Sequence, residues 1–363
     1  MWIAILIISI LALILGITYM MFKISHIPFI LKLSKDKRGL SLFISLLIIF
    51  IFLVIMSLIT TVINSAVIFL HLILFTLIFS LLVQILKRVF KLNYPAYSAL
   101  YLAVLFSIAY LLTAFYLCKN VWPEYYKLTT DKETGSFRIA LLADSHLGTT
   151  FNGEGFAKLL VKIESESPDL LVIPGDFVDD STTREDMVTA CSALGSFKCK
   201  YGVYFAYGNH DRGYSRNESS DFREADLISE LEKNGVTVLK DDHVLLDNRF
   251  YVVGREDASY ERADIDTLLS GLDTDKYIIV LDHQPSDYEN EADSSADLVL
   301  SGHTHGGQLF PITYLGELMG ANDNTYGYKQ INKTDFIVTS GISDWAIIFK
   351  TGTKSEYVII NIE

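Results

Sequence analysis

The 363-residue chain is half apolar, and its 30 Lys and Arg against 43 Asp and Glu give a formal charge of −13. Residues 1–119 hold nine of the basic residues and one acidic residue, Asp36, which leaves 21 basic and 42 acidic residues for 120–363. So acidic a downstream part argues against non-specific binding to nucleic acid or to anionic headgroups, and three cysteines without a CxxC pair (Cys118, Cys191, Cys199) argue against zinc-ribbon and thioredoxin-type sites.

Residues 1–22, 39–86 and 92–118 are uncharged, mainly aliphatic runs. A membrane span needs about 20 apolar residues. The middle run would make a helix of roughly 70 Å, so it divides into two spans with a turn near Thr60–Ser65. The expectation is therefore a four-helix transmembrane region over 1–119, with spans at about 1–22, 41–61, 66–86 and 98–118. Met1-Trp2-Ile3 lacks a basic start and Tyr19-Met20-Met21-Phe22 is a poor cleavage site, so the first run reads as a retained anchor rather than a signal peptide. Lys23, Lys32, Lys35, Lys37 and Arg38 fall in one loop and Lys87, Arg88 and Lys91 in another. If both loops are cytoplasmic, the downstream domain lies on the extracytoplasmic side of a plasma membrane. His71, Asn64 and Gln84 read as polar contacts or a turn rather than a transport path, because the spans hold no acidic residue and no Arg.

Residues 120–136, with Pro123 and a polar run from Thr129 to Gly135, read as a linker. Beyond it, strands are expected at 137–143, 170–174, 201–207, 236–239, 277–281, 298–300, 336–339 and 357–362. Helices are expected at 155–166, 184–194 and 224–234, and a hairpin at 243–253 turning on Asp247-Asn248. Strand–helix alternation followed by strand-rich sequence predicts an α/β domain over 137–363, its sheets covered by helices. Cys191 and Cys199 can pair if the domain is exported; the alternative is two partly buried thiols.

Five polar motifs follow the predicted strands: Asp144-Ser145-His146, Gly175-Asp176, Gly208-Asn209-His210-Asp211, His283 and Gly302-His303-Thr304-His305. They contain five of the eight histidines of the chain. Strand ends are rigid, and the loops leaving them can converge on one crevice. In extended chain, residues i and i+2 face the same way, so Asp144 with His146, and His303 with His305, are each expected to present two ligands. Carboxylate oxygen with imidazole nitrogen suits Mn, Fe or Zn better than Ca. A carboxylate can bridge two such ions, and Asn209 adds a neutral oxygen.

This ordered set resembles the calcineurin-like metallophosphoesterase superfamily over residues 137–363. Gly302-His303-Thr304-His305-Gly306-Gly307-Gln308, preceded by Asp282-His283-Gln284-Pro285, is most similar to the bacterial membrane-associated branch. The resemblance implies a four-layer α-β-β-α sandwich and two divalent metal ions. It assigns Asp144, His146, Asp176 and His305 to one ion. Asp176, Asn209, His283 and His303 fall to the other, with Asp176 bridging. His210 matches the catalytic histidine, and Asp179 an Asp that orients that histidine in some branches. Two ions about 3.5–4 Å apart would generate hydroxide from water at neutral pH and neutralise charge on the phosphoryl oxygens. His210 would then serve the leaving oxygen.

The Ser/Thr phosphatases of the superfamily carry Arg where this chain has Asp180 and Tyr207, and Glu where it has Asp211, so a phosphoprotein substrate is disfavoured. Lys350, near Gly341-Ile342-Ser343-Asp344-Trp345, is expected either to contact a phosphate or to be solvated. The resulting expectation is a membrane-anchored phosphoesterase or pyrophosphate hydrolase, with a lipid or envelope substrate as one reading. The alternatives are a tethered phosphodiesterase for soluble substrates and an inactive metal-binding membrane sensor. The loops 214–222 and 314–328 would shape the leaving-group pocket.

Overall fold

A computed structural model of the chain describes every residue except 1, 92, 93, 96 and 213–220, with the backbone alone for 2–10. The 214–222 loop therefore lies outside the described residues, save for Asp221 and Phe222. Residues 1–113 and 114–363 form two compact units.

The first unit is helical. It contains α1 (Trp2–Ser25), α2 (Pro28–Leu33), α3 (Arg38–Ile59), α4 (Val62–Phe90) and most of α5 (Ser98–Lys119). Among the described residues three helices, α3, α4 and α5, are long and apolar enough to cross a membrane. The expected first span falls on α1, whose first side chains are outside the described residues. The short α2 occupies the basic loop; Pro28 at its start supplies a pre-set φ where no N–H is needed. The break in the long apolar run comes at Thr60-Thr61. Thr61 caps α4, its Oγ1 accepting from the Asn64 backbone N–H at 3.1 Å and from the Asn64 amide at 2.8 Å. Asn64 thus lies in the first turn of α4, and His71 bonds locally to the Val67 carbonyl at 2.8 Å.

The second unit is mixed α/β. In chain order it holds β1 (Val121–Leu128), β2 (Phe137–Leu141), α6 (Gly153–Glu164), β3 (Leu170–Pro174), α7 (Arg184–Ser196), β4 (Val203–Ala206), α8 (Glu224–Lys233) and β5 (Thr237–Leu239). There follow β6 (Asp242–Leu246), β7 (Phe250–Gly254), α9 (Ile265–Leu269), β8 (Tyr277–Leu281), α10 (Tyr288–Asp293), β9 (Leu298–Ser301), α11 (Leu315–Leu318), β10 (Gly327–Ile331), β11 (Thr334–Val338) and β12 (Ser355–Ile362). Among the described residues they form two six-stranded sheets, ordered β1-β12-β2-β3-β4-β5 and β10-β11-β9-β8-β7-β6.

Period-2 alternation sorts the side chains of each strand between cores. Ile139, Leu141, Leu170 and Val172 from the first sheet join Val252, Ile279, Leu281 and Leu300 from the second in one cluster. The alternate residues Ala140, Leu171 and Ile173 pack with Phe156, Leu160, Met187 and Leu227 of α6, α7 and α8. Ile278 and Val280 pack with Leu268 of α9 and Tyr288 of α10. The hairpin turns on Asp247-Asn248 as expected, with φ of 52° and 55°.

The expected linker is corrected. Residues 121–128 form β1, an edge strand parallel to β12 with Val121 opposite Ser355 and Leu128 opposite Ile362. Pro123 and the interspersed charges obscure it in the sequence. On an edge strand a missing N–H is tolerated, so Pro123 does not break the pairing. The three cysteines are free.

Candidate metal centre

β2, β3 and β4 run parallel in one sheet, and β8 and β9 run parallel in the other. Each releases one motif from its C-terminal end, so the five motifs converge. Ligand atoms of Asp144, His146 and His305 lie within 4.8 Å of one another, as do those of Asp176, His283 and His303, and those of His146, Asp176 and His210. Asp176 belongs to two of these groups and His146 joins them. Asp176 Oδ2 lies 3.2 Å from His283 Nε2 and 3.6 Å from His146 Nε2. His303 Nδ1 faces Asn209 Oδ1 at 3.0 Å, and the His303 backbone N–H reaches both carboxylate oxygens of Asp144 at 2.9 and 3.1 Å.

The expected local geometry is corrected. Asp144, His146, Asp176, His303 and His305 are not extended; their φ values are 54°, 37°, 52°, 70° and 50°. Left-handed backbone costs a non-glycine residue of order 1–3 kcal/mol and is best tolerated by Asp, Asn and His. It turns each side chain inward over its strand end. Two glycines permit this crowding. A Cβ on Gly208 would sit 2.2 Å from Asp176 Oδ1, and one on Gly302 would sit 2.7 Å from Asp144 Oδ2.

Outer partners hold the rings. His283 Nδ1 donates to the Pro174 carbonyl at 2.8 Å, which turns Nε2 toward Asp176. His146 Nδ1 lies 3.4 Å from Asp179 Oδ2, and His305 Nδ1 lies 3.2 Å from the Ser343 carbonyl and 3.4 Å from Asp344 Oδ1. In His283 and His305 the outward nitrogen is bonded to a carbonyl, and in His146 it faces the Asp179 carboxylate; Nε2 is left for the centre, the arrangement that fixes a ligand tautomer. The structure gives Asp179 a contact with His146, and its charge also acts on His210, the histidine behind which the sequence resemblance places it. Lys350 is also corrected. It is fully buried, donates to the Ser340 carbonyl at 2.7 Å and pairs with Asp344 at 3.2 Å. It neither meets solvent nor faces a phosphate; it neutralises the carboxylate behind His305.

Asp211 has a role the motif does not announce. Its carboxylate accepts from the backbone N–H groups of Asp176, Phe177, Val178 and Gly208 at 2.7, 2.9, 3.2 and 2.8 Å. It ties the loop after β3 to the loop after β4. Burial and the Asp176 charge push its pKa up to about 7, while the bonds from Gly208 and Val178 oppose them. Its position beside His210 is the only sequence signal. Asp344 is signalled only by its place in the C-terminal motif.

Electrostatics separates the histidines. Burial works against the His283 imidazolium, but the Asp176 carboxylate outweighs it and holds the pKa well above the ordinary value. Burial likewise opposes charge on Asp176, yet His283 and His146 hold it well below the carboxylate range. His146 is raised, with burial overcome by Asp179 and Asp176. Burial and the neighbouring His283 bring His303 down to about 4. His210 is lowered by burial, with Asp176 opposing. Its ring lies 5.1 Å from that of His146 and 5.4 Å from that of Trp345, centroid to centroid.

The residues fit a pair of divalent cations. Among the described residues, His146 Nε2 and His283 Nε2 are buried without a hydrogen-bond partner, which is costly unless a cation or proton takes the lone pair. The donor set of imidazole, carboxylate and amide oxygen matches borderline transition metals.

The model of the calcineurin-like phosphoesterase family matches residues 137–307. An uncharacterized metallophosphoesterase of Campylobacter jejuni is 34% identical over 233 residues, covering 62% of this chain and 59% of that protein. One from Aquifex aeolicus is 30% identical over 250 residues, covering 66% of this chain and 91% of its own length. The Danio rerio protein named transmembrane protein with metallophosphoesterase domain is 32% identical over 235 residues, covering 60% of this chain and 51% of that one. The chain thus spans a little over half of the first and third of these relatives.

Proposed function

Since the chain belongs to the calcineurin-like metallophosphoesterase family, we propose that it is a membrane-anchored phosphoesterase working with two divalent ions. We further read the three cores as four layers, two sheets facing each other with helices outside, and 1–119 as a four-span anchor with the domain extracytoplasmic. The observation that carries the functional reading is the sharing of Asp176 between two groups of inward-facing ligand atoms.

Asp144, His146, Asp176 and His305 would hold one ion, and Asp176, Asn209, His283 and His303 the other. When bound, the pair supplies Lewis-acid activation of water and neutralises charge on the phosphoryl group. The remaining work falls to the chain. Asp179 and Asp344 orient His146 and His305. Asp211 sets the spacing of the Asp176 and Asn209 loops. His210 is pinned through its backbone N–H, which donates to Asp176 Oδ1 at 2.9 Å. Its lowered pKa keeps the ring neutral, with one N–H to offer the leaving oxygen.

The test uses the full-length protein in detergent with bis-p-nitrophenyl phosphate and Mn, Fe or Zn. Turnover is expected, and Asp176→Asn should reduce it more than about 100-fold. A folded protein that binds these ions and shows no turnover with any of them belongs to the sensor class instead.

A further inference from the structure

Between the Gly302–Gln308 motif and β10, the chain exposes a run of apolar side chains. Ile312 is 55% exposed, Tyr314 64%, Leu315 45% and Leu318 86%. From Leu309 to Asn322 the sole charged residue is Glu317, whose Oε1 accepts from the Thr325 N–H at 2.7 Å. An exposed apolar run of this kind marks a partner or a membrane.

Two observations select the membrane. First, the segment shares a mount with the end of a candidate span. The Thr351 N–H donates to the Gln308 carbonyl at 2.8 Å, and the Phe310 N–H donates to Thr351 Oγ1 at 2.9 Å. The adjacent Lys350 N–H donates to the Ala114 carbonyl at 3.1 Å, and Ser355 Oγ donates to the Cys118 carbonyl at 2.8 Å. Ala114 and Cys118 lie in the last turns of α5, within the second unit. Second, the inner side of the segment lines a cavity of about 300 Å³. Ile312, Thr313 and Gly316 form one wall, and His303 and Thr304 of the centre form another. The cavity therefore brings the segment together with His303, one residue of the metal-ligand cluster.

We propose that residues 309–319 form a wedge seated in the interfacial region of a phospholipid bilayer, and that the cavity behind it admits the phosphate of a membrane-resident amphiphile. This rests on the phosphoesterase reading of the same centre and specifies its substrate class. The segment holds no basic residue, so the seat is apolar rather than electrostatic and does not need anionic lipid.

The experiment uses the full chain in phosphatidylcholine vesicles. Leu318→Cys, with Cys199→Ser to leave only buried native thiols, is labelled with an environment-sensitive nitrobenzoxadiazole. Val161→Cys, on the exposed face of α6, serves as the reference. Doxyl-labelled phosphatidylcholine should quench the probe at 318 several-fold more than the probe at 161. Equal quenching, or a blue-shifted probe that lipid does not quench, overturns the seat; the latter means protein covers the segment, as in a second copy.

A second arm compares hexadecyl p-nitrophenyl phosphate in vesicles with bis-p-nitrophenyl phosphate in solution. Leu315→Asp with Leu318→Asp should lower the ratio of hexadecyl-ester to soluble-ester turnover about tenfold. An unchanged ratio between the two esters overturns the substrate class and leaves the phosphoesterase reading intact. If the parent protein hydrolyses neither, the phosphoesterase reading fails, and with it the substrate class, while the quenching still decides the seat.

Discussion

Asp179 and Asp344 stand behind two histidines of the centre at nearly the same separation, 3.4 Å in each case. Each carboxylate faces an outward Nδ1, so each bears on the direction of an Nε2 lone pair. Asp179→Asn and Asp344→Asn should each weaken Mn or Zn binding by about 10–100-fold, read by metal titration with thermal melting as a control for fold. An unchanged affinity in both would mean the rings are held by packing alone. A proton linkage follows from His283 and His146. Their raised pKa values, set by Asp176 and Asp179 against the opposing effect of burial, keep imidazolium populated at neutral pH in the metal-free protein. A cation needs the lone pair, so binding must release protons and apparent affinity must rise with pH. Calorimetry in two buffers of different ionisation enthalpy reads this directly. Metal binding that takes up protons, or exchanges none, would show the sign to be wrong.

At the scale of elements, the centre depends on how closely strand ends approach. Gly208→Ala should displace Asp176, because the new Cβ meets Asp176 Oδ1; the expected outcome is loss of metal binding with the sheets intact by circular dichroism. The cluster between the sheets carries the opposite kind of test. Phe250 is fully buried and stacks on Phe137 with centroids 4.4 Å apart. Phe250→Ala should cost about 3–5 kcal/mol, measured by chemical unfolding, yet leave metal affinity per folded molecule unchanged. A variant that melts normally but binds metal poorly would mean that the inter-sheet core tunes the site rather than merely supporting it.

At the scale of the whole molecule, the prediction concerns sidedness. On the reading proposed above, the basic loops at 23–40 and 87–96 lie on the cytoplasmic face and the domain lies outside. Membrane-impermeant labelling of a Val161→Cys variant in intact cells should therefore succeed, and labelling only after lysis would reverse the assignment. Much of this protein was legible in its residues. The apolar runs, the Thr60-Thr61 break and the strands carrying Asp144, Asp176, Asn209, His283 and His303 rest on local periodicity and composition, which act over a few neighbours. β1 was hidden because Pro123 and its neighbouring charges are ordinary in a linker and acceptable only beside β12, over two hundred residues away. The left-handed turns at Asp144 and His305 likewise go with contacts remote in sequence, to the His303 N–H and the Ser343 carbonyl. Residue type and order by themselves determined which side chains carry the donor atoms that meet at the strand ends. Tertiary packing decided how they are aimed, because strained backbone and buried charge persist only where the surrounding fold compensates for them.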